Sequence, residues 1–441
     1  MTTSKSENWQ HRYKAFEFAS QYLVAGMTTP GRRREELGDC PFFMSHGNGA
    51  YLFDLEGNKY IDLNCGHGAS LVGQSHPAIM KALQKGLEKG ILCGQETVLP
   101  SRVAHHLVEL IPCAELVRLM FTGTEATALA VRVARASTGK SKIIKFEGHY
   151  HGHNDVLQFN YSTPFDQAGP RTSPLVKGES SGTIQEVGNY VQVLPWNDLE
   201  LLEDALKKEG HQIAGVIMEP INLNCGGIMP RPGYLEGVRT LTKQHDVVLI
   251  FDEILSGFRT GPGCAQEHLG VTPDLATLGK AVGGGLPISA LVGRKELMET
   301  LAPVGKVINQ GTYYGQVLVM HAAEAFLELS RDPLLWEHQK KLGKQLYDGL
   351  TELLKRYGPG YISPVGNRFG IYFGIQEELW EWRDLKKVDR EKNLRLYREA
   401  LNHGVYFMSG WHHGYSWVHT EKDIDDSLEG IENSLRSIQK T

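Results

Sequence analysis

One lysine, Lys280, stands between a short apolar run and three glycines in DLATLGKAVGGGLP, residues 274–287. An ammonium needs only water, and most lysines are solvated. Glycine is kept where backbone must turn tightly or approach another group closely. In that setting the amine has a second use, as a nucleophile toward a carbonyl. Acids stand in comparable places. Asp252-Glu253 follow VVLIF (247–251), and Glu219-Pro220 follow AGVIM (214–218). An isolated buried carboxylate is costly, so an acid ending a buried run needs a partner. For Asp252 a cationic ring nitrogen would serve, and so would a salt bridge to Arg259.

Two further stretches follow apolar runs. Thr122-Gly123-Thr124-Glu125-Ala126 comes after LVRLMF (116–121) and opens a helical pattern. A glycine-flanked turn opening a helix presents unpaired N–H groups and the positive dipole end, which suits a phosphate. Thr122 and Thr124 add hydroxyls, although the same residues also read as a plain N-cap. Glu147-Gly148-His149-Tyr150-His151-Gly152-His153 comes after KIIKF (142–146). Histidines at spacing two crowd one face of an extended chain, and no cysteine or carboxylate set completes a zinc site, so no metal is expected. Tyr150 or a histidine stacked on a flat ring is the better use. A helix N-terminus, a stacking aromatic, a paired acid and a lysine together suit a group with a phosphate, a pyridinium nitrogen and an aldehyde. Pyridoxal 5′-phosphate (PLP), joined to the lysine as a Schiff base, has all three.

These residues need a frame. The runs 116–121, 142–146, 214–218, 247–251 and 288–293 are short, apolar and without clean alternation, as strands of a sheet covered on both faces must be. Helical patterns lie between several of them, which implies an α/β fold with a mostly parallel sheet and right-handed crossovers. Ligands then bind beyond the carboxyl ends of the strands. Residues 49–63 predict two strands joined at Glu56-Gly57-Asn58. Residues 75–90 predict a helix capped by Ser75, with Ile79, Ala82, Leu83 and Leu87 on one face. Residues 155–192, rich in Ser, Thr, Pro and Gly, predict a long surface excursion. Residues 316–357 predict one or two long helices. We divide the chain into an N-terminal segment (1–75), a large cofactor-binding domain (76–325) and a smaller C-terminal domain (326–441).

The bulk numbers agree with this. A chain of 441 residues with net charge −5 and no basic stripe is not built for nucleic acid. No apolar run approaches a membrane span, and the start lacks an apolar signal core, so a cytoplasmic protein is expected. Six dispersed cysteines without a CxxC pair read as reduced thiols. No GxGxxG follows a strand, which argues against a nicotinamide-dependent oxidoreductase. Neither end carries a basic helix-turn-helix, which argues against the sensor half of a regulator.

The stretch FDEILSGFRTGPG…GVTPDLATLGKAVGGGLP resembles the signature of the class III aminotransferases, and the resemblance covers nearly the whole chain. It implies PLP fold-type I: a large domain with a mostly parallel sheet flanked by helices, plus a smaller α+β C-terminal domain. It implies that Lys280 carries the cofactor and moves the proton, and that Asp252 pairs with the ring nitrogen. Tyr150 would stack on the ring, Glu219 would lie at the cofactor, and Thr122, Gly123 and Thr124 would hold the phosphate. Thr312, in QGTYYG, falls where a threonine from the other subunit completes the phosphate site, which implies a homodimer with shared active sites. Phe121-Thr122 replaces the Asn-Ser often found in the family.

Within class III the sequence resembles the branch of glutamate-1-semialdehyde 2,1-aminomutase and of the D-phenylglycine and aromatic β-amino-acid aminotransferases. Arg32, in Met27-Thr28-Thr29-Pro30-Gly31-Arg32, falls in the loop whose arginine holds the substrate carboxylate. His151 and Trp411 complete the candidate substrate contacts. The segment Gly410-Trp411-His412-His413-Gly414-Tyr415 has no acid where the aminomutase carries a glutamate. The expected activity is amino transfer from an amino acid or amine to a carbonyl acceptor, with pyridoxamine 5′-phosphate left after the first half. The alternative is the aminomutase, which runs both halves on one molecule and gives 5-aminolevulinate.

Overall fold

The computed structural model of the chain describes residues 10–38 and 40–440, which fall into two compact units. One comprises Pro77–Pro333 and Leu379–Lys386. The other gathers the chain up to His76, Leu334–Glu378, and Lys387 onward.

The first unit is organised by a seven-stranded sheet. In spatial order its strands are Leu116–Met120, Ser289–Gly293, Leu275–Leu278, Val248–Glu253, Ile213–Met218, Lys142–Phe146 and Val191–Leu194. Pairing is parallel from Leu275–Leu278 through Val191–Leu194, while Ser289–Gly293 runs antiparallel to both its neighbours. Every residue of Ile213–Met218 and Val248–Glu253 is buried, which is why these runs show no alternation. Two strands escape the sequence reading. LATL and VQVL are four residues each, too short to announce themselves. The strand Val248–Glu253 also runs two residues past the expected end, because Asp252 and Glu253 continue the parallel pairing opposite Thr277 and Leu278.

Local chemistry sets the helix ends. The helix Gly123–Thr138 opens with a capping box in which the Thr122 hydroxyl accepts the Glu125 N–H. Gly139, at φ 69°, closes it. Its face Ala126, Leu129, Ala130, Val133 and Ala134 enters a core with Ile143, Ile217, Ile250 and Leu291. The helix expected from residue 75 begins at Pro77. Ser75 does not cap it: its φ is 52°, and its hydroxyl bonds the Gly47 carbonyl. Leu87, assigned to the buried face, is 58 % exposed. The excursion 155–192 is tied down. Glu179 takes the Ser162 N–H and the Ser162 and Thr163 hydroxyls. Arg383 binds the Gly169 carbonyl and forks onto the buried Glu147 at 2.7 and 2.8 Å.

The second unit contains a four-stranded sheet (Met44–Asn48, Tyr51–Asp54, Lys59–Asp62, Val405–Tyr406) and a three-stranded one (Gly360–Val365, Arg368–Phe373, His412–Gly414). The helices Pro333–Tyr357, Arg390–Asn402 and Glu421–Lys440 supply Leu346, Leu350, Leu396, Ile431 and Leu435 to one core with Phe369 and Ile371. Among the described residues no helix is long and apolar enough to cross a membrane.

Glu253 gives a test of this frame. Its carboxylate is buried and accepts the Ala265 N–H at 2.6 Å and Gln266 Nε2 at 2.8 Å. Burial pushes it up to about 7. A carboxyl raised in the folded state binds its proton more tightly there, so its contribution is complete below the unfolded value of about 4.3 and is lost as pH rises through the folded one. Glu253→Gln lacks this titration. The stability difference, variant minus parent, should therefore rise by roughly 2 kcal/mol between pH 5 and pH 7. Urea unfolding at the two pH values measures it, and a pH-independent difference would contradict the assignment.

Candidate active site

Asp252 lies at the carboxyl end of Val248–Glu253 and is buried. Oδ2 is 2.7 Å from His151 Nδ1, while Oδ1 accepts the Thr277 hydroxyl and the Ile254 N–H, both at 3.1 Å. The carboxylate requires the His151 proton on Nδ1. Burial lowers the pKa of His151 despite the pull of Asp252.

The three histidines do not converge on a point. His151 faces Asp252, and His153 Nδ1 meets the Thr124 hydroxyl at 3.2 Å. His149 Nδ1 accepts the Glu219 N–H at 3.0 Å. An amide N–H can only donate, so His149 is neutral with its proton on Nε2, and burial holds its pKa well below the usual value. The buried Nε2 atoms of His149 and His151 have no hydrogen-bond partner among the described residues.

Glu219 is buried at the end of Ile213–Met218. Its carboxylate accepts the Tyr150 N–H at 2.9 Å and the Asn224 N–H at 3.3 Å. Burial, with Asp252 adding repulsion, pushes it up to about 7. The Tyr150 ring packs on Tyr161 at 4.7 Å. Burial raises its hydroxyl pKa, and the nearby Asp252 raises it further.

At the head of Gly123–Thr138, the plain-cap reading describes what the Thr122 hydroxyl does: it exchanges hydrogen bonds with Glu125. The first-turn amides of Gly123 and Thr124 have no intrahelical acceptor and remain available to an anion. A Cβ on Gly152 would come within 2.4 Å of the Thr124 hydroxyl oxygen, so this glycine brings the His151 loop against the helix end. Tyr314 fixes Glu125 with a 2.8 Å hydrogen bond. Thr312 is exposed and lines a groove with Arg118, Asn309 and Tyr314.

Lys280 opens a short 3-10 turn after Leu275–Leu278, the strand beside Asp252. It is half-buried at φ 45°, a left-handed conformation uncommon outside glycine and concentrated at functional sites. The glycines after it have close neighbours of their own. Gly284 has φ 57°, and a Cβ there would come within 2.8 Å of Ile79; one on Gly283 would meet Ile288 at 3.0 Å. They let the backbone turn and pack on the helix Pro77–Leu87 and on its own continuation. Ile254 is wedged between Gly123 and Gly279, where added Cβ atoms would meet it at 3.1 and 3.0 Å.

Arg32 and Trp411 belong to the other unit. Arg32 is exposed and lines a cavity of about 370 Å³ with Arg33, Arg34, Asn64, His67 and Ser409. Trp411 is not among the described lining residues. It carries the Arg390 guanidinium 4.7 Å over its ring and packs near Tyr372. Sequence reasoning missed Thr277, Ile254, His149 and Lys145. The strand register opposite Asp252 marks Thr277, but nothing in the sequence marks the others as partners.

In the sheet unit the structure places Asp252, His151, Glu219, Tyr150 and Lys280 at or just after the carboxyl ends of adjacent parallel strands, and His153 and Gly152 bring Thr124 against the same loop. Anion-ready amides, a buried carboxylate, an amine and unpartnered imidazole nitrogens form a donor set that fits a phosphorylated, aldehyde-bearing nitrogen heterocycle.

Residues 34–435 match the family described as aminotransferase class-III. The glutamate-1-semialdehyde 2,1-aminomutase of Syntrophobacter fumaroxidans is 37 % identical over 428 residues, 96 % of this chain and 97 % of that one. An omega-transaminase from Sphaerobacter thermophilus superposes with a TM-score of 0.93 at 27 % identity, covering 98 % of this chain and 99 % of its own. A β-phenylalanine aminotransferase from Variovorax paradoxus gives 0.84 at 26 % identity, over 98 % and 94 %. Agreement in both sequence and fold across nearly the full length leaves one conclusion: the chain belongs to the class III aminotransferases, the PLP-dependent family of fold type I.

Proposed function

We propose that the protein moves an amino group from a carboxylate-bearing amino compound to a separate carbonyl acceptor. The observation that carries this reading is the buried Asp252 carboxylate, gripped by His151 and Thr277, on the strand beside the one that leads to Lys280. PLP, when bound, supplies an aldehyde that takes amines covalently and a ring that draws electrons from the bond being broken. Asp252 holds a proton on the ring nitrogen. Lys280 Nζ would act as the base that takes a proton from the substrate carbon and delivers it to the carbon on the other side of the transferred nitrogen. The amides of Gly123 and Thr124 hold the phosphate, and Tyr150 covers the ring. Thr312, exposed in this chain, serves the phosphate of a partner subunit in a homodimer. The six free cysteines suit a reducing cytoplasm.

Arg32 binds the substrate carboxylate, and Trp411 borders the side-chain pocket. Arg32→Ala should raise KM for a carboxylate-bearing donor by about 10- to 100-fold, the loss of one charge-assisted pair, and leave a donor without a carboxylate unaffected. Steady-state kinetics on the two donor types measures the difference, and an equal change for both would refute the role.

A second reading, intramolecular amino transfer, is favoured by the 37 % identity to glutamate-1-semialdehyde 2,1-aminomutase. The experiment that separates the two adds single amino compounds to PLP-loaded protein without acceptor and follows the visible absorbance. The compounds are D- and L-α-amino acids, aromatic β-amino acids, simple amines and the semialdehyde. Stoichiometric bleaching by one class, with release of its carbonyl product, supports intermolecular transfer. Catalytic conversion of the semialdehyde alone supports the mutase.

A further inference from the structure

Beneath the loop 147–161 lies a pair of buried titratable groups that the mechanism above leaves without work. Lys145, on Lys142–Phe146, has no exposed surface. Its Nζ donates to the His149 carbonyl at 3.2 Å and to the Phe159 carbonyl. Glu219, 2 % exposed, accepts the Tyr150 N–H at 2.9 Å. The His149 carbonyl and the Tyr150 N–H are the two ends of one peptide group. That peptide therefore has an ammonium on its oxygen and a carboxylate on its N–H. The His149 ring ties in the Glu219 amide and closes the circuit.

A lysine is almost never fully buried unless its donors are satisfied, and its desolvation costs several kcal/mol. Here both known acceptors are backbone oxygens, so the ammonium acts on the path of the chain. Charge-assisted hydrogen bonds are stronger and more directional than neutral ones. Fixing the 149–150 peptide plane fixes the direction in which the Tyr150 and His151 side chains leave the backbone. The same ammonium pins Phe159, so one group closes both ends of the loop. Burial lowers the Lys145 amine to about 8, and the negative charge of Glu179, Glu219 and Glu147 pulls the other way, so it is mostly an ammonium at neutral pH.

We propose that Lys145 and Glu219 form a hydrogen-bonded clamp on the His149–Tyr150 peptide, and that Lys145 is a positioning residue for Tyr150 and His151 at the cofactor ring. This rests on the ring-facing roles proposed for those two residues. The test uses Lys145→Met, which removes every donor, and Lys145→Gln, which keeps a neutral one. In the cofactor-free protein, amide hydrogen exchange over residues 148–153 should accelerate at least tenfold in Lys145→Met, with Val248–Glu253 unchanged. From the loaded protein, PLP should leave at least tenfold faster and its visible circular dichroism should fall. Lys145→Gln should lie between, and it carries the same readouts if the Met variant does not fold. Unchanged exchange at 148–153, or acceleration shared equally with Val248–Glu253, overturns the clamp. Faster exchange with unchanged release overturns the positioning role. A parent protein that never takes up PLP would refute the proposed function, and the exchange arm would still decide the clamp.

Discussion

Replacing Lys280 with alanine should lower turnover by at least about 10³-fold and leave the fold intact. General acid–base transfer by one positioned group contributes roughly 10²–10⁴ in rate, and Lys280 is assigned both that transfer and the covalent hold on the cofactor. The fold should persist because Lys280 is half-buried and lies outside the apolar core. Alanine meets the same left-handed backbone demand as lysine at φ 45°, so no new strain arises. Turnover and urea unfolding should be measured on the same preparation. A small primary amine in solution should restore part of the lost rate, because the missing function is a basic nitrogen and not a shape. A variant with full turnover would remove Lys280 from the chemistry, while one that lost its unfolding transition would recast it as structural.

The candidate residues were legible where they follow a strand. Buried strands of five or six residues advertise themselves as apolar runs, and residues at their carboxyl ends face a ligand, so Asp252, Glu219 and Tyr150 could be proposed from order, whereas Lys280 was picked out by its glycines because LATL is too short to read as a strand. The parallel sheet came through for the same reason. The partners did not. The hydrogen bond from His151 to Asp252 joins residues 101 positions apart, and that from Lys145 to Phe159 depends on how an irregular loop returns. Neither leaves a periodic trace. Gly283 and Gly284 follow the same rule: sequence shows that backbone must turn or approach something, but only the fold shows that the neighbours are Ile288 and Ile79.

Asp252→Asn should lower kcat by about 10²–10³-fold, the scale of removing one fixed charge from a water-poor site. The asparagine is isosteric, and its carbonyl can still accept from Thr277 and the Ile254 N–H. Its amide then faces His151 Nδ1, donor against donor, and the imidazole must move its proton to Nε2 to be satisfied. The variant thus loses the anion that holds the ring-nitrogen proton and inverts the tautomer of its neighbour. These effects separate in a double-mutant cycle. If His151 acts through Asp252, His151→Gln should cost about tenfold in the parent and little in Asp252→Asn, giving strongly non-additive kcat changes. Additive losses would mean that His151 touches the substrate directly, as the sequence resemblance first suggested. An Asp252→Asn enzyme within about threefold of the parent would mean that the buried carboxylate serves the sheet and not the reaction, because a structural role would appear in the unfolding midpoint and leave kcat alone.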